Sequence, residues 1–448
     1  MRELLIDAAE RAFRYLDSLD GRAVVPDPTA VARLSELDIP LPHHPSSAEE
    51  TVALLDSYTG ATMAIAGPRF FGGVMGGVLP ATLAANWLAA AWDQNTGYTV
   101  ITPLTVKLED VALGWLRDVL GLPPETGVGF VTGGTMANFT CLAAARHAVL
   151  AQAGWDVEAD GMFGAPPVTV VVGEEAHPTL FKSLGLAGFG RNRVVRVPVD
   201  RQGRMRADVF PTLSGPTIVC LQAGNVNTGA FDPAPELIPR AKAAHAWVHV
   251  DGAFGLWAAA APSKAHLMAG YAGADSWATD AHKYLNTPYD CGLAFVRSPE
   301  VLQSAMAISA AYLPASPTRE PSNFTPELSR RARGIEVWAA LHSLGRSGLA
   351  DLVERTCLHA THFAEGLRAA GYTILNEVVF NQVLVTFGDA EKTQRVIAGI
   401  QQDGTCWCGG TIWQGQTAMR ISVTSWATTG ADVERSLEAM ICVARQLA

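Results

Sequence analysis

Short runs of β-branched residues alternate with alanine-rich helical stretches through the middle of this chain. The apolar runs between residues 128 and 300 lie at 168–172, 194–197, 217–221, 247–250 and 293–296. Most of them are separated by segments with helical periodicity, such as 138–151 and 233–245. This alternation is typical of a mostly parallel sheet covered by helices, so it predicts an α/β fold. Ligands of such sheets bind beyond the carboxyl ends of the strands.

The pattern changes on both sides of this block. Residues 1–60 show helical periodicity with proline-rich breaks, and residues 310–333 form a stretch rich in Pro, Ser and Arg. A loop of that length inside a compact protein is usually functional or disordered. Beyond it, helical patterns at 335–344 and 350–370 and apolar runs at 383–387 and 418–423 predict a smaller α+β unit.

The composition excludes several classes of protein. The 448 residues include 33 basic and 43 acidic side chains, and the resulting net charge of −10 argues against nucleic acid or an anionic membrane as a partner. The chain is 49% hydrophobic and can bury a large core, but its most apolar long stretch, 78–92, is too short to span a bilayer. Seven scattered cysteines fit a reducing compartment better than a disulfide framework. We therefore expect a soluble cytoplasmic protein.

An aspartate and a lysine each follow a short apolar run near the middle of the chain. Asp251 ends the run Trp-Val-His-Val-Asp, and Lys283 follows 32 residues later in Asp-Ala-His-Lys. Pyridoxal phosphate requires this pair, because a lysine holds its aldehyde as a Schiff base and a carboxylate keeps its pyridine nitrogen protonated. Taken singly, Asp251 is also explained as a strand-end cap and Lys283 as a surface lysine.

A glycine loop offers a site for the phosphate of such a cofactor. Gly133, Gly134 and Thr135 lie between an apolar strand and an alanine-rich helix, where free backbone N–H groups favour an anion. A plain tight turn is the alternative, whereas a dinucleotide motif is excluded because Thr132 stands where its third glycine is required. His177 follows the run at 168–172, and it either stacks on a planar cofactor or is a solvated loop residue.

Two metal sites compete with this interpretation. His249, Asp251 and His282 are the residue types of a two-histidine, one-carboxylate iron site. We disfavour that site because it usually lies in an all-β barrel and because His249 is equally well placed to pack against a helix. Cys406 and Cys408 lack a matching second pair of ligands, so packing explains them better than metal binding.

Together, these stretches resemble the group II pyridoxal-phosphate-dependent amino-acid decarboxylases, which include aromatic amino acid, glutamate, tyrosine and diaminobutyrate decarboxylases. The resemblance runs from about residue 68 to the C-terminal helix and is strongest at 249–255 and at His282-Lys283. It implies an aspartate-aminotransferase-like fold (PLP fold type I), with a large, doubly wound domain and a smaller α+β domain. It also implies an amino-acid substrate and a homodimer with shared active sites. We accordingly divide the chain into an N-terminal helical arm and dimerisation segment (1–95), a large cofactor-binding domain (96–333) and a small C-terminal domain (334–448).

The resemblance also implies individual roles. The catalytic residues would be Lys283 as the Schiff-base lysine, Asp251 as the pyridinium partner, His177 stacked on the ring and Tyr312 as the proton donor from a mobile loop. Relatives that oxidise the amine to an aldehyde carry phenylalanine in place of that tyrosine, so Tyr312 favours plain decarboxylation.

The remaining implied roles concern binding. The cofactor would be held by Gly133, Gly134, Thr135, His177, Asn225, Asp251, Ala253, His282 and Lys283, and the substrate carboxylate by Arg420. Two positions depart from the family pattern. Asp280 stands where several relatives have asparagine near the phosphate, and Asn225 stands where relatives have threonine. A second anion beside a phosphate is repelled unless it points away or pairs with a cation.

The predicted function is the α-decarboxylation of an L-amino acid to an amine and carbon dioxide through a Lys283 Schiff base. Two alternatives remain open from the sequence. One is another enzyme of the same fold, such as an aminotransferase, an aldehyde synthase or a carbon–carbon lyase. The other is a non-catalytic relative that binds only the cofactor or a partner. The sequence does not distinguish among substrates, because its tryptophans and loop arginines are equally well explained as core and as solvated residues.

Overall fold

The computed structural model describes residues 1–308 and 319–447. The chain opens with three helices: α1 (Arg2–Ser18), α2 (Pro28–Ala32) and α3 (Ala48–Asp56). Ser47 and Glu50 form a capping box at the start of α3, each binding a backbone N–H that the helix leaves free. None of the described residues in these three helices is buried, although α1 is amphipathic. Two further helices, α4 (Pro80–Trp92) and α5 (Pro103–Val119), lead into the sheet.

A seven-stranded sheet forms the centre of the protein. Its strands are β1 (Gly127–Val131), β2 (Thr169–Gly173), β3 (Val194–Val197), β4 (Thr217–Gln222), β5 (Trp247–Asp251), β6 (Ser276–Asp280) and β7 (Gly292–Val296), in the spatial order β1-β7-β6-β5-β4-β2-β3. The five strands from β6 to β3 are parallel, and β7 runs antiparallel to both β6 and β1. The prediction of a mostly parallel α/β sheet is therefore confirmed.

Helices cover both faces of this sheet. Along β2, Val171 packs in one apolar cluster while Val170 and Val172 pack in the other, because alternate side chains point to opposite faces. One face is covered by α6 (Gly134–Gln152), α8 (Pro178–Leu186) and α11 (Pro299–Met306). The other is covered by α5 and α9 (Ala234–Ala243). Two short helices, α7 (Val157–Asp160) and α10 (Ala281–Tyr284), lie between these elements. Each fully buried valine contributes about 1.5–3 kcal/mol.

A smaller α+β unit follows, as predicted. It contains α12 (Gly334–Ala369), β8 (Thr373–Ile374), β9 (Gln382–Thr386), α13 (Ala390–Asp403), β10 (Gly409–Trp413), β11 (Gln416–Ser422) and α14 (Gly430–Gln446). Its four strands form an antiparallel sheet in the order β10-β11-β9-β8, and α13 and α14 pack on that sheet. Gly345 has non-helical backbone angles and divides α12 into two helical segments. The two helices predicted on either side of this position are thus present.

Buried ion pairs anchor the described part of the predicted loop. Arg330 lies 2.8 Å from Glu109 of α5, and both side chains are about 1% exposed. Glu320 accepts a hydrogen bond from the backbone N–H of Thr99 at 2.6 Å. Removing one member of a buried ion pair such as Arg330–Glu109 typically costs about 3–5 kcal/mol, because the other charge is left without a partner. These contacts fix residues 319–333 to α5 and to the segment that precedes it.

In the described ranges, no helix combines the length and the apolar character that crossing a bilayer requires. The seven cysteines are all free thiols, and six of them are buried.

Candidate active site

A cavity of about 410 Å³ opens at the carboxyl ends of β4, β5 and β6. This is where ligands bind in sheets of this type. Eight residues singled out from the sequence line it together: Gly133, Gly134, Thr135, His177, Asp251, Ala253, His282 and Lys283. They come from four separate stretches of chain, so the fold brings together groups that the sequence leaves far apart.

Lys283 lies on the short helix α10, which follows directly from β6. Its Nζ atom is 2.9 Å from Oδ2 of Asp280, and its side chain is 19% exposed. The glycine-rich segment at 71–77 packs behind the lysine backbone. A Cβ atom on Gly76 would lie 1.8 Å from the carbonyl oxygen of Lys283, so only glycine permits this approach. Lys283 is consequently held by its main chain while its amine faces the cavity.

Asp251 ends β5 and is 5% exposed. Its Oδ2 atom accepts a hydrogen bond from Nδ2 of Asn138 at 3.1 Å, and its Oδ1 atom accepts one from the backbone N–H of Ala253 at 3.3 Å. Burial raises the pKa of this carboxyl, while electrostatic interactions with His177 and Lys283 and the hydrogen bond from the amide of Asn138 oppose that rise. A buried carboxylate of this kind is stabilised by a cation placed in the cavity.

A chain of buried hydrogen bonds extends behind Asp251. Oδ1 of Asn138 accepts a hydrogen bond, so Nε2 of His249 must donate it, at 2.8 Å. Nδ1 of His249 is then an acceptor for the hydroxyl of Ser276 at 3.0 Å, and that oxygen accepts from Nε1 of Trp247 at 2.9 Å. Burial lowers the pKa of His249 to about 3, so its ring is neutral. Every donor in this relay points toward Asp251.

His177 caps the start of α8. Its Nδ1 atom accepts the backbone N–H of Thr179 at 3.3 Å and lies 2.7 Å from the hydroxyl of the same residue. Because a backbone N–H can only donate, the proton of the neutral ring resides on Nε2. Burial is the largest cause that lowers the pKa of His177; Lys283 and Arg420 also lower it, and Asp251 opposes them.

The glycine loop and His282 form the opposite wall. Gly133 has a φ of +155°, a conformation that favours glycine, and α6 begins at the next residue. Nδ1 of His282 accepts the backbone N–H of Cys291 at 3.2 Å, so its Nε2 atom carries the proton. The ring stacks on Tyr289 with 4.3 Å between centroids. Burial is the largest cause that lowers the pKa of His282.

Three of the predicted site residues do not line the cavity or are not described. Asn225 is buried, and its side chain binds its own turn: Oδ1 accepts from the backbone N–H groups of Asn227 and Thr228. Arg420 lies on β11 and donates to the carbonyl of Val226, a cavity residue, at 3.2 Å. Tyr312 lies outside the described residues.

Some residues with evident roles were not predicted from the sequence. Asn138 and Ser276 hold the relay behind Asp251, and Gly76 seats Lys283. Asn138 carried one usable signal: it is a polar side chain on the buried side of an alanine-rich helix, where an unpartnered amide is costly. Its partner lies 113 positions away, which no local pattern reveals.

The competing metal sites find no support. His249 and His282 each bind a backbone or side-chain partner within the fold, and the described residues contain no group of three or more His, Cys, Asp or Glu side chains that could hold a metal ion. Cys406 and Cys408 are buried in the apolar core of the small unit, and burial raises the pKa of Cys408 well above its ordinary value.

Comparisons with known proteins show what this chain is similar to. Residues 58–387 match the profile of the pyridoxal-dependent decarboxylase conserved domain. The chain is 28% identical to tryptophan decarboxylase 1 of Oryza sativa subsp. japonica over 397 residues, which cover 82% of this chain and 76% of that protein. It is also 28% identical to L-2,4-diaminobutyrate decarboxylase of Rhizobium meliloti over 390 residues, covering 82% and 75% of the two chains.

The fold is shared with solved structures. The crystal structure of Oryza sativa TDC with PLP and tryptamine superposes with a TM-score of 0.91 at 22% identity, covering 99% of this chain and 97% of that one. The domain match spans well over half of the chain, and it establishes the cofactor and the enzyme class together with the fold. This chain belongs to the pyridoxal-dependent decarboxylase family, whose members are carboxy-lyases that use pyridoxal phosphate.

Proposed function

We propose that this enzyme removes the α-carboxylate of an L-amino acid as carbon dioxide and releases the corresponding amine, with Lys283 as the residue that binds the cofactor covalently. One observation carries the proposal. The amine of Lys283, the carboxylate of Asp251 and the ring of His177 border the same cavity at the carboxyl edge of the sheet. These groups are the ones that the chemistry requires.

The residues present fit pyridoxal phosphate. Gly133 and Gly134 leave the first N–H groups of α6 open to a phosphate, and the long helix behind them adds a favourable dipole. The buried carboxylate of Asp251 favours a protonated ring nitrogen. When bound, the cofactor accepts the electron pair that the Cα–carboxylate bond releases. The relay behind Asp251 fixes the orientation of that carboxylate before any reaction begins.

His177 supplies a donor rather than a charge. Its Nδ1 atom is occupied by Thr179, so Nε2–H is the group available to the cavity. Its lowered pKa favours the neutral ring near pH 7. We keep Tyr312 as the proton donor to the substrate carbon on the strength of the family resemblance, and Arg420 as the partner of the substrate carboxylate. We also keep Asn225 as a cofactor-binding residue, acting through the turn that its side chain stabilises by accepting the backbone N–H groups of Asn227 and Thr228.

We infer that the partner of this chain is a second copy of itself. The N-terminal 104 residues expose a set of large apolar side chains: Leu5, Ile6, Leu41, Leu54, Leu55, Leu88, Val100, Ile101 and Leu104 are all more than half exposed. The most apolar helix, α4, buries only Thr82 and Ala89. So many exposed apolar side chains within one segment indicate an interaction site. Six of these nine side chains lie within residues 1–95, the segment that the family resemblance assigns to the dimer, which supports an active site shared between subunits.

The oligomeric state tests this inference. Light scattering should give twice the mass of the chain for the wild type and a lower mass for Leu88→Glu, with loss of activity if the sites are shared. Leu358→Glu is the matched control, because Leu358 is an exposed leucine on α12, outside the N-terminal 104 residues. A monomeric wild type with full activity contradicts the inference. The seven free thiols support a reducing cytoplasm as the compartment.

A product screen tests the proposed reaction. The purified enzyme should release carbon dioxide from at least one amino acid, and mass spectrometry should find the matching amine. The relatives are named for tryptophan and for 2,4-diaminobutyrate, so the panel should hold the twenty common amino acids and diaminobutyrate. An aldehyde, a transaminated product or no turnover across the whole panel contradicts α-decarboxylation.

A further inference from the structure

One carboxylate oxygen beside the proposed phosphate site accepts no hydrogen bond. Oδ1 of Asp280 is buried without a hydrogen-bond partner in the part of the chain that the structure describes. It lies 3.5 Å from Nε2 of His282, and its carboxylate partner Oδ2 lies 2.9 Å from Nζ of Lys283. The side chain is 3% exposed and lines the cavity. A buried acceptor of this kind is costly unless a donor or a proton satisfies it.

The same carboxylate faces the phosphate site. A Cβ atom on Gly134 would lie 2.9 Å from Oδ2 of Asp280, and one on Gly133 would lie 3.6 Å from Oδ1. An anion bound at the first N–H groups of α6 is thus in direct reach of Asp280. Two anions at that distance repel each other strongly in a buried site, whereas a neutral carboxylic acid donates a hydrogen bond to a phosphate oxygen.

Lys283 supplies the proton that resolves this conflict. Its amine becomes a nucleophile only after it loses a proton. Transfer from Nζ to Oδ2 breaks one N–H bond and forms one O–H bond, and it removes both charges at once. Burial favours the neutral pair, because both charges are withdrawn from water. A phosphate beside Asp280 favours it further.

We propose that Asp280 is the proton acceptor for Lys283 and that, once protonated, it becomes a hydrogen-bond donor to the phosphate of the cofactor. This inference rests on the phosphate site proposed above. It explains how an aspartate is tolerated at a place where an amide would be the simpler donor. The amide cannot take up the lysine proton, whereas the carboxylate can and so also frees the lysine amine.

The other groups around Asp280 do not replace it in this role. The titratable side chains that face it or share its cavity are Lys283 and His282 from α10, Asp251 from β5, His177 from the turn before α8, and Tyr289 and Asp290 from the turn before β7. Both histidines are neutral donors because burial lowers their pKa values, and burial raises the pKa of Tyr289 to about 12. The buried thiol of Cys291 has a raised pKa and is neutral as well.

The binding of inorganic phosphate to the full-length protein after removal of its cofactor tests the proposal without relying on activity. Calorimetry over roughly two pH units around neutrality should compare the wild type, Lys283→Met and the double variant Asp280→Asn, Lys283→Met. In Lys283→Met the cation is gone, so phosphate binds only when Asp280 takes a proton from solvent. Its affinity relative to the double variant should fall about tenfold for each pH unit. The phosphate affinity of the wild type should show the same pH dependence as that of the double variant, because Lys283 neutralises Asp280.

Two controls separate the possible failures. Asp290→Asn in the Lys283→Met background removes another cavity aspartate, and the steep pH dependence should remain. Thr135→Asp places a charge in the first turn of α6, which the helix tolerates, and it should abolish phosphate binding in every background. If phosphate affinity has the same pH dependence in Lys283→Met and in the double variant, the role of Asp280 is overturned and the phosphate site is not. Undiminished binding in Thr135→Asp overturns the phosphate site and the inference with it.

Discussion

Two buried aspartates end neighbouring strands and border the same cavity, yet their surroundings differ. Asp251 at the end of β5 receives hydrogen bonds on both oxygens and is backed by a relay of neutral donors. Asp280 at the end of β6 faces a lysine amine and a glycine loop, and one of its oxygens has no hydrogen-bond partner in the described structure. The first is held by fixed dipoles, and the second contacts the lysine that we propose binds the cofactor.

The difference shows how one sheet edge gives the same side chain two roles. Preorganised neutral donors hold a carboxylate in one place and one charge state, which suits the partner of a cationic ring nitrogen. An incompletely bonded carboxylate beside a cation is free to exchange a proton. Each prediction below tests one side of this contrast.

The largest effect on activity should follow loss of the Asp251 carboxylate at the end of β5. Asp251→Asn retains the shape of the side chain but removes the carboxylate, so kcat/KM should fall about 10³-fold, as for other lost electrostatic contacts in active sites. Asp290→Asn is the matched control, since Asp290 lines the same cavity and is bound by Arg333. Equal rates for the two variants would remove Asp251 from its assigned role.

Breaking the relay should have a smaller effect on the same residue. Asn138→Leu deletes the donor to Asp251 and the acceptor for His249, which should lower the free energy of unfolding by about 1–3 kcal/mol. It should also lower kcat/KM by roughly tenfold, since Asp251 keeps its charge but loses its orientation. Asn138→Asp keeps an oxygen that can accept the hydrogen bond from His249 but loses the amide that donates to Asp251. It should therefore not restore the rate. Chemical denaturation and steady-state kinetics measure the two effects separately.

The pH dependence of stability tests the neutral state of the relay. The pKa of His249 is about 3 in the folded protein and near its ordinary 6.5 in the unfolded chain. The unfolded state therefore binds more protons between these values, so stability is complete above about pH 6.5 and falls by about 1.4 kcal/mol per pH unit below it. His249→Gln should lack this contribution while the carboxyls still titrate. Urea unfolding gives the loss of the free energy of unfolding between about pH 7 and pH 5. This loss should be about 2 kcal/mol smaller in the variant than in the wild type.

The smallest stability change should come from β6. Asp280→Asn removes a buried oxygen without a partner as well as the ion pair with Lys283, and these two effects oppose each other. Lys283 is 19% exposed and faces the cavity, so it is not left as a buried unpaired charge, and the free energy of unfolding should change by less than about 1 kcal/mol. A loss as large as that of Asn138→Leu would mean that the two strand ends are equally constrained.

Much of the fold was predictable because its signals are local. The strands β2 to β5 and β7 have runs of β-branched or apolar residues, and the predicted boundaries lie within one residue of those observed. The strand β6, with the sequence Ser-Trp-Ala-Thr-Asp, has a short apolar run but no run of β-branched residues, and it was not among the strands predicted from such runs. It is a strand because its two neighbours in the sheet supply its hydrogen bonds. Tertiary context overrides a weak local preference in such a case.

The site was predictable only in part, for the same reason. Asp251, Lys283 and the glycine loop follow directly from strand ends, so their meeting could be inferred from parallel topology. The relay could not be inferred, because Asn138, His249 and Ser276 lie on three distant elements. The pairing of Asp280 with Lys283 lies within four residues, yet it depends on how α10 leaves β6.

The central claim is that Lys283 holds the cofactor, and borohydride trapping tests it most directly. The protein loaded with pyridoxal phosphate should lose its visible absorbance on reduction, and peptide mapping should place the stable label on Lys283. Lys283→Met should stay unlabelled, while Lys182→Met, which removes a lysine outside the cavity, should label as the wild type does. A label on another lysine, or a protein that pyridoxal phosphate does not colour, would contradict the account.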